Sequence, residues 1–98
     1  MIEIKKLIKT KNQYNKIYMF PYNVNSRYVD LKLKKKNTFF VDNYEPVNNK
    51  ILRPSKINDH SNNLLIISDK NLEKYLKKKL KLIKIEYLKI SLSEKKEK

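Results

Sequence analysis

Apolar and polar positions near the start of the chain follow two different periods. Residues 2–11 (IEIKKLIKTK) place Ile4 and Leu7 on one helical stripe with lysines opposite, which predicts a short amphipathic helix. Residues 15–20 (NKIYMF) are rich in β-forming side chains that alternate as in a strand, and Pro21 ends that strand. The chain is therefore expected to begin with a helix followed by a strand.

The second half of the chain predicts two further strands joined by a polar turn. Residues 48–57 (NNKILRPSKI) have the composition of a second strand. Residues 58–63 (NDHSNN) suit a hairpin connection, because Asn and Asp tolerate left-handed backbone without glycine. Residues 64–67 (LLII) are continuously apolar, which indicates a third strand buried on both faces.

A long polar connection, residues 22–47, separates the first predicted strand from the second. Most of it, residues 23–43, is predicted to be a long basic loop, since it contains the run KLKKK at 32–36. Its apolar residues, such as Phe39 and Phe40, indicate that parts of it fold back or pair as short strands. A loop of that length in a small domain is usually functional or mobile.

A final helix is predicted after Ser68 and Asp69, which supply its N-cap. Apolar residues recur there at helical spacing with lysines between them, and we expect this stripe to form core or dimer contacts. The stripe consists of Leu72, Leu76, Leu80, Ile83, Tyr87 and Ile90. Residues 1–92 are thus expected to form one domain, and residues 93–98 a charged, disordered tail.

Charge narrows the functions that such a domain can have. The 98 residues include 24 Lys and Arg against 10 Asp and Glu, a formal net charge of +14. An excess of that size favours a polyanionic partner, of which nucleic acid is the commonest. The candidate RNA contacts are Lys16, Tyr18, Arg27, Lys32, Lys34, Lys35, Lys36, Lys50, Arg53 and Lys56.

Each kind of candidate has a purely structural alternative. Lys50, Arg53 and Lys56 fit phosphate contacts on an open sheet face, but charges on an edge strand also deter aggregation. The run KLKKK fits RNA phosphate or the ribosome, and it equally fits a solvated loop. Tyr18 fits stacking on an unpaired base, whereas aromatic residues at strand spacing are more often part of a core.

The sequence lacks the residue types that several kinds of functional site require. It contains no Cys and no Gly, which excludes disulfides, thiolate metal sites and glycine-rich phosphate loops. His60 is the single histidine and the carboxylates are scattered, so we expect no enzyme activity, no metal and no cofactor. The longest apolar run, residues 64–67, is too short to span a membrane, and residues 1–12 contain no apolar stretch of signal-peptide length. A cytoplasmic location is therefore expected.

An ordered set of short motifs extends from Phe39 to Tyr75. Its members are Tyr44-Glu45-Pro46, Asn49-Lys50, Leu52-Arg53, LLIIS at 64–68, and Asp69-Lys70. This order resembles the family of the fourteen-kilodalton subunit of the signal recognition particle. In that family, glycines stand at turns where this chain has asparagine.

The resemblance implies an α+β fold of order α-β-β-β-α, with a three-stranded antiparallel sheet and two helices packed on one face. It also implies a heterodimer with the nine-kilodalton subunit, in which the two chains complete a six-stranded sheet that holds the Alu portion of the particle's RNA. The implied role is to retard translation elongation during targeting to the endoplasmic reticulum, with transient ribosome contact and no membrane insertion.

Two other functions remain open on the sequence. A small ribosomal protein binding ribosomal RNA would have a similar order of elements. The basic final helix would alternatively suit an adaptor for an acidic membrane or an acidic protein.

Overall fold

The computed structural model describes residues 2–57, 62–68 and 86–91. The elements in these ranges are β1 (Ile2–Glu3), α1 (Ile4–Thr10), β2 (Lys16–Phe20), α2 (Val24–Leu33), β3 (Thr38–Val41), β4 (Ile51–Leu52), β5 (Asn63–Ile67) and β6 (Glu86–Ser91). A 3-10 turn at Lys11–Gln13 follows α1, and another at Pro54–Lys56 follows β4.

The described strands form one sheet of order β1-β6-β5-β2-β3-β4, in which every pair is parallel. β2 lies between β3 and β5, and its register aligns Tyr18 with Phe39 on one side and with Leu65 on the other. From β2 the chain continues to β3 and β4 on one side, and then returns to build β5 and β6 on the other. The order of the strands therefore reverses between β2 and β5, and α1 and α2 both pack on the face of the sheet that carries Ile17 and Met19.

The parallel sheet overturns the predicted α+β fold with a three-stranded antiparallel sheet. The hairpin expected between residues 48–57 and 64–67 does not form, because β4 pairs with β3 while β5 pairs with β2 and β6. The second predicted strand is also shorter, since Pro54 opens a 3-10 turn. The described strands number six rather than the predicted three, and they belong to one sheet.

The long basic loop predicted for residues 23–43 is wrong over Val24–Leu33, which form the helix α2, whereas Thr38–Val41 form a short strand, β3. Asn23 and Ser26 cap α2 reciprocally: Asn23 Oδ1 accepts from the Ser26 N–H at 2.8 Å, and Ser26 Oγ accepts from the Asn23 N–H at 2.9 Å. The helix is hard to recognise in the sequence because Val24 and Leu31 are 62% and 73% exposed. Apolar residues on the solvent side obscure the helical period.

Three predicted elements are confirmed, and the predicted final helix is wrong at its C-terminal end. The first helix forms as α1 with Ile4 and Leu7 buried, the first strand forms as β2, and the third forms as β5, buried throughout. The final helix cannot extend to Tyr87 and Ile90 because residues 86–91 form β6. Outside the described residues lie Leu72, Leu76, Leu80, Ile83 and the predicted tail at 93–98.

Two apolar clusters bury β2 from both sides. One cluster includes Ile17 and Met19 together with Leu7 of α1, and the other includes Tyr18 and Phe20. Alternation along the strand sends successive side chains to opposite faces. β2 therefore offers no open face that could receive RNA. Tyr18, which is 2% exposed, does not present its ring for stacking.

Candidate nucleic-acid interface

The C-terminal ends of α1 and α2 meet at the amino end of the sheet. α1 connects β1 to β2 and α2 connects β2 to β3. Because these strands are all parallel, each helix runs back from the carboxyl end of the sheet to its amino end. The Lys11 ammonium group donates to the carbonyl oxygen of Leu33, which joins the segment after α1 to the last residue of α2. The Ile17 N–H donates to the Asn37 carbonyl at 3.1 Å, which brings the start of β2 to the segment after α2.

Lysines concentrate at this end of the molecule. We call this surface the basic end, and its members are Lys9, Lys11, Lys16, Lys32, Lys34, Lys35 and Lys36. Within the part of the chain that the structure describes, the ammonium groups of Lys34, Lys35 and Lys36 have no hydrogen-bond or ion-pair partner. These three charges are therefore available to an external anion.

Negative charge at the basic end is scarce and already engaged. Asp30 is the one carboxylate whose side chain is described there, and its Oδ1 lies 3.4 Å from the Lys50 Nζ and accepts from the Thr38 hydroxyl at 2.8 Å. Glu86 begins β6, two strands away from β2. The basic end thus keeps a large positive excess.

Some of the lysine charge at the basic end stabilises the fold. Lys11 places its cation at the C-terminus of α2, where the helix dipole favours positive charge. Lys34 ends the same helix in the left-handed conformation, at φ 49°. Its side chain nevertheless remains exposed. The structural use of Lys11 therefore leaves most of the lysine charge unaccounted for.

The candidate phosphate contacts Lys50, Arg53 and Lys56 do not line an open sheet face. Lys50 turns inward, and its Nζ donates to the carbonyl oxygen of Thr38 at 2.7 Å and to the Thr38 hydroxyl at 2.6 Å. Arg53 donates to two backbone carbonyls in the segment after β3, at 3.1 and 2.5 Å. Lys56 is exposed on the 3-10 turn that follows β4, beyond the carboxyl end of that strand.

Arg27 also lies away from the lysines, near the N-terminus of α2. Its guanidinium carbon is 5.4 Å from the ring centroid of Tyr22, which meets Phe40 edge-on at 4.8 Å. The Tyr22 N–H donates to a carboxylate oxygen of Asp42 at 3.4 Å. Arg27 therefore belongs to the carboxyl end of the sheet.

Of the predicted contacts, the structure brings five together as members of the basic end, namely Lys16, Lys32, Lys34, Lys35 and Lys36. The Lys50 ammonium lies beside them but is already held by Asp30 and Thr38. Sequence reasoning missed Lys9 and Lys11 as members of the same surface. The pattern that could have found them is the concentration of lysine at the end of the first helix. Their proximity to α2, however, depends on how the two helices pack.

At the carboxyl end of the sheet, the strand order reverses between β2 and β5, which is where open parallel α/β sheets bind ligands. Here the chain's own groups occupy much of it. The N–H and hydroxyl of Ser68 donate to the Phe20 carbonyl at 2.9 and 3.2 Å. The side chain of Asn23 takes the Ser26 N–H, a donor at the helix start that a glycine-rich turn would leave for a phosphate.

Comparisons of this chain with family models, curated proteins and solved structures found no match. Among the residues that the structure describes, no three metal-binding side chains come together. The helices in those same ranges are too short or too polar to cross a bilayer.

Proposed function

We propose that this chain is a non-enzymatic, cytoplasmic RNA-binding protein and that its contact surface is the basic end. The observation that carries the proposal is the group of unpartnered ammonium charges at Lys34, Lys35 and Lys36, which stand where two helices end together. Clustered lysines with little opposing carboxylate bind phosphates by releasing condensed counterions.

Lysine suits this role because it acts as a point charge with a long, adaptable stem. Its ammonium group can approach phosphate oxygens from many directions, whereas the planar guanidinium of arginine favours two oxygens of one carboxylate or phosphate. In the described part of the chain, both arginines lie away from the basic end, one beside Tyr22 and one on backbone carbonyls. The surface is therefore better suited to a phosphate backbone than to one carboxylate.

Salt titration of the full chain on labelled RNA tests the proposal. Contact with about five phosphates gives a slope of roughly −3.5 to −4.5 in log affinity against log salt. The double variant Lys35→Glu/Lys36→Glu should weaken binding and flatten this slope.

The matched control is Arg27→Glu/Lys56→Glu, which changes the net charge by the same four units at other places on the surface. It should retain most of the affinity. Equal losses in both variants would show that net charge alone drives binding, and an affinity independent of salt would contradict the mechanism.

Membership of the signal recognition particle family stays a prediction. Its support is the ordered motif set between Phe39 and Tyr75, although the parallel sheet is not the fold that this family implies. Cross-linking in the native cell followed by RNA sequencing tests it. Recovery of the particle's Alu RNA, together with the nine-kilodalton subunit, would support the family, and recovery of ribosomal RNA would support a ribosomal protein.

A further inference from the structure

The solvent side of α2 carries an apolar stripe. Val24 and Leu31 are 62% and 73% exposed, and Tyr28 lies between them, half-buried. Spacings of four and three place these side chains on one side of a helix. Val29 and Leu33 on the core side are fully buried, so the stripe is not needed for packing against the sheet.

This stripe leads directly into the basic end. From residue 24 to residue 31 it extends about 10 Å along the helix axis. The Lys32 Nζ stands 5.5 Å from the ring centroid of Tyr28, and Lys34 to Lys36 follow at the helix end. The half-buried Tyr28 ring and the exposed Leu31 side chain therefore adjoin the lysines of the basic end without a gap.

From this juxtaposition we infer that the ligand is single-stranded RNA, with bases on Tyr28 and Leu31 and phosphates on the neighbouring lysines. The inference rests on the proposed RNA-binding function and specifies its ligand. A duplex presents phosphates and hides the faces of its bases, so it makes no use of an apolar stripe. An unpaired strand exposes base faces that stack on aromatic side chains.

The test compares the full chain's affinity for a single-stranded oligonucleotide of about ten residues with that for a duplex of equal length. We expect the single strand to bind more tightly. Tyr28→Ala should weaken single-strand binding by roughly 5- to 150-fold, the effect of losing one stacked base, and should leave duplex binding nearly unchanged.

Three further variants separate stacking from misfolding. Tyr28→Phe keeps the ring and should keep the affinity. Leu31→Asn alters a side chain that is 73% exposed, so it should lower single-strand affinity while leaving Tm unchanged. Tyr44→Ala removes an aromatic that is 89% exposed but lies after β3, outside the stripe, and should have no effect on binding.

The possible results distinguish the inference from the proposal beneath it. Equal affinity for both RNAs, with Tyr28→Ala and Leu31→Asn unaffected, would overturn the inference and leave RNA binding intact. Absence of binding to either RNA at low salt would overturn both. Self-association of the 11.9 kDa chain that Leu31→Asn abolishes would overturn the inference, because the stripe would then join two copies.

Discussion

The Lys50 ammonium lies 3.4 Å from the Asp30 carboxylate and donates to the Thr38 carbonyl at 2.7 Å. These contacts join the segment before β4 to α2 and to the first residue of β3. The Lys50 and Asp30 side chains are 42% and 25% exposed, which places the pair between surface and core. Lys50 therefore stabilises the edge of the sheet, although its sequence context suggests an RNA contact.

Replacing Lys50 should affect stability more than binding. Lys50→Met keeps the aliphatic stem and removes the charge, and we expect the free energy of unfolding to fall by about 1 kcal/mol, a modest value because the pair is partly exposed. Urea denaturation measures this loss. Lys36→Met is the matched control, with unchanged stability and weaker RNA binding. The opposite pattern would show that Lys50 contacts the ligand.

Arg53 should likewise behave as a structural residue. Arg53→Ala removes the donor to the Asp42 and Glu45 carbonyls, and we expect a loss of about 1–3 kcal/mol in the free energy of unfolding. The nearby Lys56→Ala should stay within roughly 0.5 kcal/mol of the native chain, since Lys56 is exposed. Equal stability of the two variants in urea would contradict this role for Arg53.

The end of α2 offers a stabilising substitution. Lys34 has φ 49°, a conformation that disfavours residues with a Cβ atom. Lys34→Gly should raise the free energy of unfolding by about 1 kcal/mol. Lys34→Ala loses the same charge and keeps the Cβ, so it separates the two effects. Identical Tm values for these variants would exclude relief of backbone strain.

The start of α2 depends on its cap. The Asn23 Oδ1 accepts from the Ser26 N–H at 2.8 Å and lies 3.3 Å from the hydroxyl oxygen of Ser68. Asn23→Ala should lower the free energy of unfolding by about 1 kcal/mol, whereas Asn23→Asp keeps an acceptor and should remain close to the native value. Thermal unfolding followed by circular dichroism makes the comparison. If both variants unfold alike, the cap is unimportant.

Prediction succeeded where the local pattern and the burial agree. α1, β2 and β5 have the periods expected from their sequences, and Ile4, Leu7 and Leu64 are buried accordingly. It failed for α2, because Leu31 is apolar yet faces solvent. A helix with apolar residues on both sides has no clear period, and the capping pair Asn23 and Ser26 was the remaining local evidence.

The sequence predicted which residue types form the candidate site better than it predicted where those residues lie on the fold. The lysine excess indicates a polyanion, and Lys32 to Lys36 do lie on one surface. Lys50 and Arg53 were wrongly placed on an open sheet face, because a charged side chain in a short edge segment can also turn towards backbone carbonyls. Which alternative holds depends on neighbours that are distant in sequence.

The sequence by itself determined the charge excess, the absence of disulfides, thiolate metal sites and glycine-rich phosphate loops, and the strands whose side chains follow a clear pattern. Only the tertiary structure decided that every strand pair is parallel, since alternation with period two is the same in parallel and antiparallel sheets. It also decided where the lysines gather. That position follows from two helices returning to the same end of the sheet, a long-range outcome that no local pattern specifies.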